Sequence, residues 1–147
     1  MLDEKFIRRK IDLIQEDLEK LETFRKLTFT QVAKDWLRYH ALKNLFMEII
    51  GRGIDINFHL VAELSKVGAE TPKDYKDSFL ALGELGVLPK KFSLQIAESA
   101  GFRNAIVHGY NKLDKYIVYK TIGEAIDQYA KYCDYILKFL SKHSSKK

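Results

Sequence analysis

A chain of 147 residues has room for one domain and one sizeable core, which excludes a two-domain dehydrogenase-type enzyme or a complete barrel. A hydrophobic content of 46%, a charged content of 31% and only 2 prolines exclude a disordered or collagen-like chain, and the lone Cys133 excludes an internal disulfide or a cysteine-based metal cluster. The 25 basic and 20 acidic residues give a net charge of +5, which permits a polyanionic partner without requiring one because the charges largely alternate in sign.

The first segment, Asp3 to about Thr23, carries Phe6, Ile7, Ile11, Ile14, Leu18 and Leu21 at steps of three and four, the pattern of an amphipathic helix. After the LTFT link, Thr30 is the expected N-cap of a long second helix through Trp36, Leu37, Leu42, Phe46 and Ile49. That helix is expected to bend or break at Gly51-Arg52-Gly53 and to end near Gly68. Next, Pro72 opens a turn or a first helical position, Tyr75, Phe79 and Leu82 form a short apolar face, and Gly86 closes it. Pro89 opens a helix through Phe92, Ile96, Ala100 and Ile106 to about His108, with Gly109 at its end. A last helix from Asp114 or Tyr116 to Leu140 buries Ile117, Ile122, Tyr129, Tyr132 and Ile136, followed by a polar tail over 142–147. The brief β-branched run at Ile117 loses to its helical surroundings. The expectation is one all-α domain over 1–141: an antiparallel, up-and-down bundle of four long helices and one short one.

No apolar run approaches the roughly 18 to 20 residues of a membrane span, and MLDEKFIRRK lacks an apolar leader, so a cytoplasmic protein is expected. His40, His59 and His143 are scattered and no paired metal motif is visible, so no metal or other cofactor is expected. Asp55, His59 and Glu63 form a stripe at four-residue spacing. A partly exposed helix face with side-chain pairs is its simpler meaning, and the border of a cleft is the alternative.

The segment GFRNAIVHGYNKLD places Arg103, Asn104 and His108 at the end of an otherwise apolar helix, where a cation must be paired, exposed or used. Asn104 and His108 are four apart and share a face, whereas Arg103 and His108 are about 140° apart around the helix. One helix therefore does not present the pair together, but two copies related by a two-fold axis can. A surface salt bridge for Arg103 and a helix C-terminal role for His108 form the plainer alternative. Lys112, Lys115 and Lys120 add positive charge nearby, with Asp114 as the acid among them.

Phe102 to Tyr110, FRNAIVHGY, resembles the signature of the HEPN superfamily, in its HepT toxin version with a tyrosine two residues past the histidine. The resemblance extends to PKDYKDSFLALGELGVLP at Pro72 to Pro89 and to the Asn111 to Tyr119 segment. It implies a homodimer that juxtaposes its motif helices, an RNA-cleaving toxin acting on single-stranded RNA or tRNA, and restraint by a cognate MntA-type nucleotidyltransferase antitoxin. It also implies Arg103 and His108 as the catalytic pair, Asn104 as the supporting polar residue, and Tyr110 as the tyrosine that receives AMP. The alternative is a non-catalytic nucleotide-binding or adaptor partner of a nucleotidyltransferase.

Overall fold

The computed structural model describes residues 2–66, 68–109 and 113–145, and in it seven helices follow one another: α1 (Glu4–Arg25), α2 (Phe29–Ala33), α3 (Trp36–Leu64), α4 (Tyr75–Glu84), α5 (Lys90–His108), α6 (Lys115–Lys120) and α7 (Ile122–Ser145). Among the described residues there is no strand, and no helix is long and apolar enough to cross a membrane. The all-α bundle of four long helices stands as expected. Two short helices, α2 and α6, join α4, where one short helix was expected.

Local chemistry sets the boundaries. Asp3 accepts a hydrogen bond from the Phe6 N–H at 3.0 Å and starts α1. Thr28 and Gln31 form a reciprocal capping box, each side chain bonded to the other's backbone N–H, so the N-cap is Thr28 and the expected cap Thr30 lies inside α2. Asp35 then accepts from Leu37 and Arg38 N–H and starts α3 separately. Asp74, two residues beyond Pro72, caps α4. Gly86 stands past the end of α4 with φ of +77°, the left-handed conformation that only glycine adopts without strain. Pro89 precedes the first turn of α5 and Gly109 follows its last.

The helix directions follow from the contacts. Lys10 meets Asp55 while Asp17 meets Arg52, so α1 and α3 are antiparallel. Glu4 meets Ser144 while Gly123 faces Arg25, so α7 also runs against α1. Phe92 packs on Tyr135 and Ser99 bonds Tyr129, which sets α5 against α7. The order is up, down, up, down, with α4 laid across α3 and α5.

The Gly51-Arg52-Gly53 segment does not break α3, which continues through it to Leu64 rather than to the vicinity of Gly68. Gly53 serves close packing instead: a Cβ there would lie 3.1 Å from Tyr129 Cε1, whereas one on Gly51 would stand in ordinary contact with Arg103 Nε at 3.6 Å. The last helix departs from expectation at Thr121, which separates α6 from α7. Val118 is buried there, whereas Ile117, expected in the core, is 50% exposed. Trp36 and Leu37, likewise part of the expected apolar pattern, are 67% and 62% exposed at the start of α3. At the other end α7 continues to Ser145, so the first part of the expected tail is helical.

Tyr132 is fully buried, and its hydroxyl lies 2.5 Å from Asn57 Oδ1 and 3.0 Å from the Gly53 carbonyl, sharing one hydrogen between two acceptors. Asn57 Nδ2 donates to Ser78 Oγ at 3.1 Å, and Ser78 Oγ donates to the Tyr75 carbonyl at 2.6 Å. This buried chain of polar groups ties α7 through α3 to the first turn of α4.

Burial pushes the Tyr129 and Tyr132 phenols well above their ordinary 10.0 and the Cys133 thiol from 9.0 up to about 12. The fold therefore binds these protons more tightly than the unfolded chain does. Their contribution is complete below about pH 9 and is lost as the pH rises from there toward 12. The midpoint of urea unfolding is expected to fall steadily above pH 9, and less steeply in Tyr129→Phe. A midpoint unchanged between pH 8 and 11 would contradict this packing.

Candidate active site

Arg103 leaves α5 toward α3 and α4 and enters a cleft of about 530 Å³ lined also by Lys10, Glu48, Gly51, Arg52, Asp55, Phe58 and Tyr75. Its side chain passes alongside Gly51, and its Nε is buried with no acceptor among the described residues. The guanidinium carbon lies 5.4 Å from the centre of the Tyr75 ring, within cation–π range. Tyr75 is held edge-on by Phe58, with ring centres 6.2 Å apart.

The other cations of the cleft are already paired. Lys10 Nζ lies 3.0 Å from Asp55 Oδ2. Arg52 donates to the buried carboxylate of Asp17 and lies 3.7 Å from Glu48, while Lys20 approaches the other Asp17 oxygen at 3.8 Å. Arg103 has no carboxylate partner among the described residues. The positive charge left over in the cleft is therefore its own, and a phosphate oxygen is the chemical group that matches planar donors of this kind.

His108 and Asn104 lie on the exposed side of α5, four residues apart, and neither lines the cleft. This agrees with the helical wheel, which separates Arg103 from His108. Within one chain the structure brings Arg103 together with Tyr75, Asp55 and Arg52 rather than with His108. Tyr110 and Lys112 lie outside the described residues.

The Asp55, His59 and Glu63 stripe divides. Asp55 borders the cleft. His59 Nε2 accepts the Asp3 N–H at 3.0 Å, and its ring packs on Phe6 at 5.3 Å, so here the side-chain pairing holds and the cleft-border alternative does not. Glu63 is exposed one turn farther along and does not line the cleft. The stripe is mainly a seam between α3 and α1, and only its first member reaches the cleft. Lys115, expected on a free positive surface, donates to the Ala33 carbonyl at 3.1 Å and lies over the Tyr39 ring, joining α6 to α2 and α3. Among the described residues no three His, Cys, Asp or Glu side chains converge as metal ligands would.

Sequence reasoning missed Arg52, Asp17 and Tyr75 as parts of this region. Asp17 carried a signal, since it follows Ile14 by three and precedes Leu21 by four on the buried side of α1, a place for an acid only if a cation meets it. Tyr75 was read as part of an apolar face, and the exposed position of its ring was not legible locally.

Residues 14–136 match the Ribonuclease HepT-like family. The chain belongs to this family of ribonucleases. A tRNA nuclease HepT of Aphanizomenon flos-aquae is 29% identical over 136 residues, covering 91% of this chain and 89% of that protein. A putative RNase of Archaeoglobus fulgidus is 27% identical over 116 residues, covering 79% of this chain and 81% of its relative. Among solved structures, the fold is similar to a toxin-antitoxin crystal structure with AMP-PNP, with a TM-score of 0.80, 20% identity and coverage of 91% of this chain and 98% of that one. It is equally similar, at a TM-score of 0.80 and 20% identity over 90% of this chain and 97% of the other, to a tri-AMPylated HEPN toxin of Shewanella oneidensis in complex with an MNT antitoxin. The likeness to these structures shows that the helical fold as a whole is shared.

Proposed function

We propose that this HepT-like chain is a metal-independent endoribonuclease toxin of a toxin–antitoxin pair, acting as a homodimer on single-stranded RNA or an exposed tRNA segment. The observation that carries the reading is Arg103, an arginine lodged in a cleft without a countercharge, on the same helix end as the exposed His108. RNA supplies its own nucleophile. One histidine takes the proton of the 2′-hydroxyl as that oxygen attacks phosphorus, and a second gives a proton to the departing 5′-oxygen, leaving a 2′,3′-cyclic phosphate and a 5′-hydroxyl. Arg103 holds the phosphate oxygens while negative charge gathers on them, and Asn104 supplies a neutral donor from the exposed face it shares with His108.

Two histidines require two chains, and α5 offers a surface suited to pairing. Leu94, Glu98, Gly101, Ala105 and His108 are all exposed and recur at alternating steps of four and three. Nothing lies within 4 Å of the position a Gly101 Cβ would take, and small residues at Gly101 and Ala105 let a second α5 approach closely. His108 would then stand near its partner at the end of the seam.

With chelator present, Arg103→Ala and His108→Ala are each expected to lower the RNA cleavage rate by about 100-fold or more with an unchanged circular dichroism spectrum. Equal RNA loss from wild type and both folded variants would remove the assignment and favour the adaptor reading.

Regulation follows from the neighbouring position. In the proposed reaction the Tyr110 phenolic oxygen attacks the α-phosphorus of ATP held by a cognate MntA-type nucleotidyltransferase, pyrophosphate leaves, and AMP stays on the tyrosine. A bulky anion two residues past His108 competes with RNA for the cationic site both sterically and electrostatically. The tri-AMPylated state of the Shewanella oneidensis toxin is the precedent that supports it. Peptide mass spectrometry after incubation with the partner and ATP is expected to show AMP-sized increments on Tyr110 and none in Tyr110→Phe. Inhibition with no modification, or with modification elsewhere, would contradict the mechanism.

A further inference from the structure

We infer that Tyr75 is a positioning residue for Arg103, holding the guanidinium by its ring face so that the charge is fixed in place but not neutralised. The inference rests on the reading that Arg103 binds the substrate phosphate. An arginine in a protein cleft is ordinarily oriented by a carboxylate, as Arg52 is here by Asp17 and Glu48. A carboxylate on Arg103 would occupy the donors that a phosphate needs and would repel the phosphate itself. An aromatic face orients the cation through its quadrupole while leaving the in-plane N–H donors open.

The surroundings support this role from both sides. The Tyr75 ring lies 5.4 Å from Arg103 Cζ, and Phe58 meets it at 82° on the cleft wall. The Tyr75 backbone is anchored from behind, because its carbonyl accepts from Ser78 Oγ at the end of the buried Tyr132–Asn57–Ser78 chain. Asp74 caps the same turn through Asp77 N–H at 2.8 Å. Tyr75 is nonetheless 41% exposed and its hydroxyl makes no hydrogen bond among the described residues, so the ring is engaged by Phe58 against its edge and by Arg103 over its face.

Two readouts separate the contact from its consequence. In the NMR spectrum the Arg103 δ-protons are expected to be shifted upfield by the ring current in the wild-type protein and in Tyr75→Phe, and to return to ordinary values in Tyr75→Leu. In RNA cleavage, Tyr75→Leu is expected to lose about 3- to 30-fold in kcat/KM, Tyr75→Phe to recover most of that loss, and the penalty of Tyr75→Leu to shrink when Arg103 is already Lys. Failure of Phe to recover what Leu loses would assign the role to the hydroxyl and overturn the inference. So would full activity in Tyr75→Leu alongside an inactive Arg103→Ala. If Arg103→Ala itself cleaves normally, the phosphate reading fails instead, and the NMR shift decides the Tyr75 contact independently.

Discussion

Lodging an arginine between helices is costly unless its charge is neutralised or its flat side chain is packed. Arg52 and Arg103 take the two courses side by side in one cleft. Arg52 is met by the buried Asp17 and by Glu48, and together these groups staple α1 to α3. Arg103 runs beside Gly51 and meets the face of the Tyr75 ring, which packs it and leaves its charge intact. The arrangement of α3, α4 and α5 around this one uncompensated cation distinguishes the cleft from an ordinary groove between helices.

Several features of the fold maintain that arrangement. Gly53 lets α3 approach Tyr129 closely, and Tyr132 reaches across to Asn57 and on through Ser78 to α4. A displacement of α4 would carry Tyr75 away from Arg103, so this buried polar network links core packing to the geometry of the cleft. Farther round α5 from Arg103, Asn104 and His108 face outward, so the helix presents a cleft residue on one face and an exposed polar pair on another.

Much of this organisation was legible in the chain. The three- and four-residue spacing from Ile7 to Leu21, the turn at Gly86 and the start at Pro89 all specify local structure that tertiary packing leaves intact. The motif residues Phe102 to His108 form the last turns of α5 as expected, and the wheel separated Arg103 from His108. The cap expected at Thr30 falls instead at Thr28, where Gln31, three residues on, completes the capping box. Gly51 and Gly53 were read as breakers because their local effect on a helix is unfavourable. Their packing against Arg103 and Tyr129 is a long-range fact that no window of sequence contains. The same holds for His59, whose partner on the α1 N-cap, Asp3, is far away in the chain, and for Ile117, whose burial depended on a continuous last helix that Thr121 interrupts.

The central claim is that catalysis draws on Arg103 and His108 from both chains across the α5 seam. Its most direct test is the initial rate of RNA cleavage by a covalently linked mixed dimer, one half carrying Arg103→Ala and the other His108→Ala, compared with the linked wild-type dimer in the presence of chelator. The mixed dimer keeps one arginine and one histidine, where the wild type has two of each. The account predicts a rate reduced by at least about tenfold with the dimer intact. A rate close to that of the linked wild type would contradict the composite site and favour one built from a single arginine and a single histidine.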